Sequence, residues 1–393
     1  MQTTRYLIVG GGLTGDAACK GIRDVDTGGA ITLVSAERHP PYARPPLSKG
    51  LWKGDAESTI WRHTAELGVD LQLGRRIVAI DLARHEARDD QGETYAYEKL
   101  LLATGGRPRQ LPFDGSDVVY FRTLDDYRHL HTLADSGARV CVIGGGFIGS
   151  EIAAALALNG CSVTMVFPEP GIGARIFPPS LSAALNDYYR ERGVEVLTGT
   201  SATQIEQHAA GTRIMLGYGR PLVADSVVAG IGIEPNVELA AAAGLPVGNG
   251  IVVDALGRVD GREDVFAAGD VARFPVPALA TEMRVEHEDH AKSHGRRVGA
   301  NMAGATEAYD HLPFFYSDLF DLGYEAVGQL DSRLDTLTDG DGLTEPGTIY
   351  YLDRDRRPQG ILLWNLFGQI DAARELIRAG APIARGALSA SVR

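Results

Sequence analysis

The chain has 393 residues, 44% apolar and 23% charged, which is ordinary globular usage and, at roughly 150 residues per domain, implies two or three domains. Its 38 basic and 51 acidic residues leave a net charge of −13. A field of that sign disfavours a general binder of nucleic acid or of an anionic membrane, because phosphate contacts need a basic face.

From the N-terminus, the apolar run Tyr6 to Val9 is predicted as a strand. No secretory signal precedes it and no apolar run of about 18 residues occurs, so a soluble cytoplasmic protein is expected. The strand runs into Gly10-Gly-Gly12-Leu-Thr-Gly15 and a helical stretch; a second strand, Ile31 to Val34, follows, with Glu37 just beyond it. Strand, G-x-G-x-x-G, helix, strand and acid in this order form a dinucleotide fingerprint. The first glycine permits the turn, the second lets backbone amides reach a pyrophosphate, and the third lets the helix lie close to the strand. The helix N-terminus turns partial positive charge toward phosphate, and the acid accepts from ribose hydroxyls.

Further on, the stiff Pro45-Pro46 pair presets the loop that carries Lys49. Leu100 to Ala103 reads as a buried strand that breaks at Thr104-Gly105, where backbone can approach a cofactor. The fingerprint then recurs: Arg139 to Ile143, Gly144-Gly-Gly146-Phe147-Ile148-Gly149, an Ala-rich helix to Leu158, the strand Ser162 to Phe167, and Glu169. Two nucleotide loops in one chain suggest FAD with NAD(P)H; the plainer alternative is a pair of glycine-rich turns in a nucleotide-free α/β sheet. Val227 to Gly232 repeats the strand-to-glycine pattern at Gly230 and Gly232, and Asp264 to Asp270 is a strand ending in Gly269-Asp270, where the acid can accept from a ribityl hydroxyl.

Glu286-His287 is expected to start a helix running to about Met302; the acids and histidines between 286 and 290 lack the spacing of a metal motif, and no metal is expected. Thr338 to Gly342 reads as a polar turn. Ile349 to Leu352 and Ile361 to Trp364 read as strands joined across Asp353 to Arg357, and Ile370 to Ala379 as a closing helix ending at Gly380. Cys19, Cys141 and Cys161 form no C-x-x-C pair and read as buried structural thiols.

In this order the elements resemble the two-dinucleotide flavoprotein reductases of the pyridine-nucleotide disulfide oxidoreductase fold. Arg44-Pro-Pro-Leu-Ser-Lys49 is similar to the flavin-side loop of oxygenase-coupled ferredoxin reductases and of apoptosis-inducing factor, without the cysteine pair of the disulfide reductases. The segments Val285 to Ala291, Tyr316-Ser-Asp318, Gly323 to Gly328 and Leu363 to Phe367 look closer to apoptosis-inducing factor and monodehydroascorbate reductase. The long C-terminal insertion of apoptosis-inducing factor is not expected, because only the turn at Thr338 stands in its place; a compact bacterial relative is expected. The resemblance implies an α/β fold with two Rossmann-like domains and a C-terminal α+β domain. The FAD-binding domain would take 1–112 and 233–306, the NAD-binding domain 113–232, and the C-terminal domain 307–393.

It also implies roles. Lys49 and Glu151 would form an ion pair beside flavin N5, the cation favouring the reduced ring. His287 would contact both flavin and nicotinamide, with Glu286 beside it. Arg44 and Arg122 would contact the FAD pyrophosphate or ribose. Gly10, Gly12, Gly15, Val78, Thr104, Gly105, Gly269, Asp270 and Tyr316 complete the flavin set. Glu37 would be the ribose acid, either one-handed or shared with Ser35, since the family's acid often lies one residue earlier, at Ala36. Tyr316 stands where apoptosis-inducing factor has a tryptophan; the alternative is a core aromatic. For NAD the set is Gly144, Gly146, Phe147, Ile148, Gly149, Glu151, Glu169, Arg175, Gly230, Gly232 and Glu286. Glu169 would repel a 2′-phosphate and Arg175 partly offset that, so NADH is expected over NADPH.

The function that follows is an FAD-dependent oxidoreductase taking hydride from NADH and passing electrons to a small iron–sulfur partner such as a ferredoxin. A locally basic docking face would draw on Arg296, Arg297, Arg354, Arg356 and Arg357. The alternatives are an apoptosis-inducing-factor-like NADH sensor that holds a stable charge-transfer complex, and a monodehydroascorbate or quinone reductase. A monomer or homodimer is expected.

Overall fold

A computed structural model describes residues 1–113, 118–209, 211–340 and 342–384. The chain forms two compact units: Met1–Arg44, Ala56–Arg107 and Glu234–Pro313 in the first, and Pro45–Asp55, Pro108–Ile233 and Phe314–Arg393 in the second.

Among the described residues, the first unit is built on a seven-stranded sheet. Its parallel part orders Val69–Leu73, Ile31–Ser35, Gln2–Val9 and Thr94–Leu102, with Val265–Ala267 on the far side of Thr94–Leu102. Tyr6–Val9, Leu100–Leu102 and Val265–Ala267 are apolar and buried on both faces, as a parallel sheet covered on each side requires. Register does the functional work: Val9 pairs with Val34 and with Leu102, and Leu102 with Ala267. The residues next in register, Gly10, Ser35, Ala103 and Ala268, therefore lie along one carboxyl edge, where open α/β sheets bind ligands. Helices Leu13–Val25 and Glu288–Met302 cross at backbone contact; a Cβ on Gly21 would meet the Arg296 carbonyl oxygen at 1.9 Å, and one on Gly299 that of Ala18 at 2.2 Å.

The second unit repeats the plan in a five-stranded parallel sheet, ordered Glu195–Thr198, Ser162–Phe167, Arg139–Ile143, Ser226–Ala229 and Val118–Val119. Ile143 pairs with Val166 and Ala229, so Gly144, Phe167 and Gly230 share its carboxyl edge. The same unit holds a five-stranded antiparallel sheet in the order 314–319, 322–328, 358–364, 347–352, 335–339, with helix Ile370–Ala379 against it. The fold is thus α/β with two Rossmann-like sheets and a C-terminal α+β part.

The closing helix has the expected limits and ends at Gly380 in the left-handed region (φ 58°). The helix expected from Glu286-His287 starts at Glu288, with His287 as its N-cap residue. One reading needs correction: Thr338 and Asp339 belong to the strand Asp335–Asp339, paired with 347–352, rather than to a turn. Its polar composition is that of an outermost strand, which has no partner on one side and is kept soluble by charge. Asp341 lies outside the described residues. No helix among the described residues is long and apolar enough to cross a membrane. All three cysteines are buried, and burial pushes the Cys141 thiol up to about 12, so they stay protonated.

Candidate active site

In the first unit, helix Leu13–Val25 begins at Gly12 without a side-chain cap, leaving its first N–H groups free for an anion. The turn before it leaves no room for side chains. A Cβ on Gly15 would stand 2.2 Å from the Gly10 carbonyl oxygen, and one on Gly10 (φ 127°) 2.1 Å from that of Ala103. Gly12 has nothing within 4 Å of its Cβ position, the open side on which a pyrophosphate fits. Glu37 accepts from the Tyr42 hydroxyl at 2.6 Å and pairs with Arg44, whose guanidinium lies over the Tyr42 ring at 5.2 Å. The Ser35 hydroxyl accepts from the Glu37 N–H at 3.2 Å, so Ser35 and Glu37 stand together.

Thr104 and Gly105 are clasped by Asn236: Thr104 Oγ1 donates to its carbonyl, its side-chain amide donates to the Thr104 carbonyl, both at 2.8 Å, and its N–H donates to Gly105 at 3.0 Å. Sequence reasoning missed Asn236 and also Arg284, which donates to the Asp270 carbonyl at 3.1 Å and pairs with Glu286 at 2.5 Å. Val78 is placed differently from the others. The chain before it passes Glu37, to whose carbonyl Gly74 donates, but Val78 turns its side chain outward on an outermost strand, 49% exposed.

Behind Gly269-Asp270 lies a buried aromatic cluster. His290 and His294 are fully buried; His290 stacks on Phe274 at 4.6 Å between centroids, and His294 on Tyr309 at 4.5 Å. His294 Nδ1 accepts from the Gly269 N–H at 3.3 Å, which only a neutral ring can do. Desolvation pushes both rings down, His294 to about 3. His287 also falls, to about 4, by desolvation against the pull of Asp270 and Asp289, but its ring is partly exposed and the two buried rings carry the argument.

The sign is that of a lowered base: the unfolded chain binds protons below about pH 6.5 while the fold excludes them. Stability is full above that pH and falls toward pH 3, by up to about 1.4 kcal/mol per pH unit per histidine. Melting temperature should therefore drop steeply between pH 6 and 4, and His294→Asn should flatten the slope. A melting temperature equally steep in both proteins contradicts this.

In the second unit, helix Phe147–Leu158 likewise starts uncapped, at Gly146, and a Cβ on Gly149 would stand 2.0 Å from the Gly144 carbonyl oxygen. Gly230 closes against the same turn, 2.7 Å from the Gly149 nitrogen by its Cβ position, and Gly232 accepts from the Arg109 N–H at 2.9 Å. Phe147 packs edge-on to Phe315 at 5.2 Å, and Ile148 is exposed. Glu169 accepts from Arg175 Nε and Nη2 at 2.9 and 2.6 Å. Arg122 is also in this unit, its N–H donating to Asp126 beside the cap of the next helix.

Lys49 and Glu151 meet. Pro45–Ser48 forms a helical turn, locked by the Trp52 indole donating to the Leu47 carbonyl at 2.7 Å. Lys49 Nζ then lies 2.7 Å from Glu151 Oε1, with side chains 12% and 4% exposed. Ser317 Oγ donates to the same oxygen, and Ser48 Oγ to Oε2, both at 2.6 Å. Tyr316 is not a core aromatic: it is 37% exposed, with the Lys49 ammonium 5.2 Å from its ring centre.

The glycine-lined turns and free helix N-termini fit two dinucleotides. A family model for pyridine nucleotide-disulphide oxidoreductases matches residues 4–295, and one for the mitochondrion-associated C-terminal part of apoptosis-inducing factor matches 298–339. The chain belongs to the pyridine nucleotide-disulphide oxidoreductase family. It is a flavoprotein reductase that uses FAD and a pyridine nucleotide. The ferredoxin–NAD(+) reductase component of the anthranilate 1,2-dioxygenase system of Burkholderia cepacia is 38% identical, over 97% of this chain and 96% of its own. Apoptosis-inducing factor 1 of Dictyostelium discoideum is 33% identical over 96% and 79%. Among solved structures, the ferredoxin reductase for the CYP199A2 system from Rhodopseudomonas palustris superposes with a TM-score of 0.89 at 31% identity, over 98% and 96% of the chains. Putidaredoxin reductase in its covalent complex with putidaredoxin gives 0.90 at 30%, over 98% and 95%.

The arginines considered for docking are partly committed within this reductase. Arg296 pairs with Asp24 at 2.7 Å, Arg297 pairs with Glu307, and Arg356 donates to the Ile383 carbonyl at 2.9 Å.

Proposed function

We propose that this reductase takes hydride from NADH and delivers electrons one at a time to a ferredoxin, an iron–sulfur protein of an oxygenase system. The likeness to ferredoxin reductases over nearly the whole chain carries this reading, and the Lys49–Glu151 pair supports it. Bound FAD supplies the conversion of a two-electron donor into one-electron steps. The chain's residues bind and orient. Gly10, Gly12 and Gly15 admit one pyrophosphate, with Glu37, Arg44, Thr104, Gly105 and Asp270 on the rest of that dinucleotide. Gly144, Gly146, Gly149, Gly230 and Gly232 admit the other. Lys49, held by Glu151, would offer its ammonium to the negative charge that develops on the flavin on reduction. His287 serves as a neutral ring at a helix N-terminus. In this reading 1–112 with 233–306 bind FAD, 113–232 bind NADH, and 307–393 form the C-terminal domain.

Glu169 selects NADH by accepting from the ribose and repelling a 2′-phosphate. Arg175 donates two hydrogen bonds to that carboxylate, so Glu169→Ala frees a cation as well as removing an anion. The ratio of kcat/KM for NADH over NADPH should fall about 10- to 150-fold, the value of one charged hydrogen bond. An unchanged ratio removes Glu169 from this role.

The likeness to apoptosis-inducing factor over 298–339 favours a second reading, a slow NADH sensor. Turnover with NADH and a panel of ferredoxins in air separates the two. Ferredoxin reduction well above the free-flavin background supports the first. No reduction, with long-wavelength absorbance that persists in air, supports the second.

A further inference from the structure

We propose that Ser48 and Ser317 are positioning residues of this reductase, which hold the Glu151 carboxylate in place and aimed at Lys49. The inference rests on the reading of the Lys49–Glu151 pair above.

A lysine alone does not fix the orientation of a buried carboxylate. A buried pair offsets its desolvation only where the geometry is good and further donors satisfy the carboxylate. Here they do. Ser317 is 1% exposed and Ser48 8%, and their hydroxyls reach different oxygens of Glu151 at 2.6 Å each. The carboxylate thus accepts three bonds from two chain segments, with a serine on each oxygen, and Lys49 Nζ meets it at one oxygen only.

The strand Phe314–Leu319 is the outermost of its sheet, with helix Phe147–Leu158 beside it. Consecutive residues of that strand serve the two ends of the pair: Tyr316 offers its ring to the ammonium and Ser317 its hydroxyl to the carboxylate. Among the described residues, the Tyr189 and Tyr324 phenols feel the Glu151 charge, and Tyr324 also hydrogen-bonds Ser317. Burial, and after it that charge, holds both phenols well above their ordinary range, so they stay neutral.

Ser48→Ala, Ser317→Ala and the double variant, all loaded with FAD, are mixed rapidly with NADH and titrated for the flavin midpoint potential, with Glu151→Gln as reference. Each serine hydroxyl removed should slow flavin reduction by up to about 10- to 150-fold, the worth of one charge-assisted hydrogen bond. The double variant should approach Glu151→Gln in both rate and midpoint potential. Ser317→Thr, which keeps the hydroxyl, should behave as wild type; if an alanine variant fails to retain FAD, Ser317→Cys is read in its place.

A double variant with the rate and midpoint potential of wild type, while Glu151→Gln is slow, overturns the proposal and leaves the reading of the pair intact. A Glu151→Gln protein with wild-type rate and midpoint potential overturns the reading of the pair, and the proposal with it.

Discussion

Lys49→Met should slow reduction of the flavin by NADH and lower its midpoint potential. At an effective dielectric near 20, a unit charge about 4 Å away interacts by about 4 kcal/mol before desolvation is subtracted, and even a quarter of that moves a two-electron couple by about 20 mV. The site argues for more than this minimum. Ser48 and Ser317 still bond Glu151 after the lysine is gone, so the variant keeps an uncompensated anion in a pocket that exposes 4% of it. Removing one partner of a buried pair typically costs about 3–5 kcal/mol, so thermal stability should fall as well.

Glu151→Gln should act with the opposite sign on potential. Lys49 keeps its charge and the Tyr316 ring but loses its anchor, so the potential rises slightly while reduction still slows through lost positioning. The double variant should cost less than the sum of the singles, because coupled partners are not additive. Two independent surface charges would give additivity and midpoint potentials within error of wild type.

The second large effect concerns the two glycine turns, which should fail separately. Gly15→Ala places a methyl 2.2 Å from the Gly10 carbonyl oxygen, and Gly149→Ala places one 2.0 Å from that of Gly144. Neither neighbour is a flexible side chain, so the backbone must open, at about 1–3 kcal/mol by analogy with overpacked cores, or about 5- to 150-fold in affinity. Gly15→Ala should lose FAD on dialysis. Gly149→Ala should keep FAD and raise the KM for NADH. If Gly149→Ala loses flavin while Gly15→Ala keeps it, the assignment of the loops is reversed.

What the sequence made legible was local. The glycine loops, the helices they open and the closing helix at Ile370 are set by short-range pattern, and they sit where that pattern puts them. The Lys49–Glu151 pair spans 102 positions and came from family likeness rather than spacing. The serines that complete it could not be read in the same way. Ser48 and Ser317 are ordinary polar residues beside more conspicuous neighbours, and each reaches Glu151 across more than a hundred positions. Asn236 and Arg284 escaped notice for the same reason: they reach Thr104 and Asp270 through those residues' backbone carbonyls, which leave no mark in sequence. The acids and histidines at 286–290 looked like a charged helix start, yet His290 is fully buried against Phe274 and Tyr309, since only the fold shows which face of a helix is covered.

The central claim is that NADH feeds one flavin, which in turn feeds a one-electron acceptor. The most direct measurement is anaerobic rapid mixing of the yellow holoprotein, first with one equivalent of NADH and then with an oxidised two-iron ferredoxin. The account predicts that the flavin band bleaches at a rate faster with NADH than with NADPH, and that it returns as ferredoxin is reduced, two ferredoxins per flavin. Bleaching by neither nucleotide, or a bleached flavin that no ferredoxin reoxidises, would contradict it.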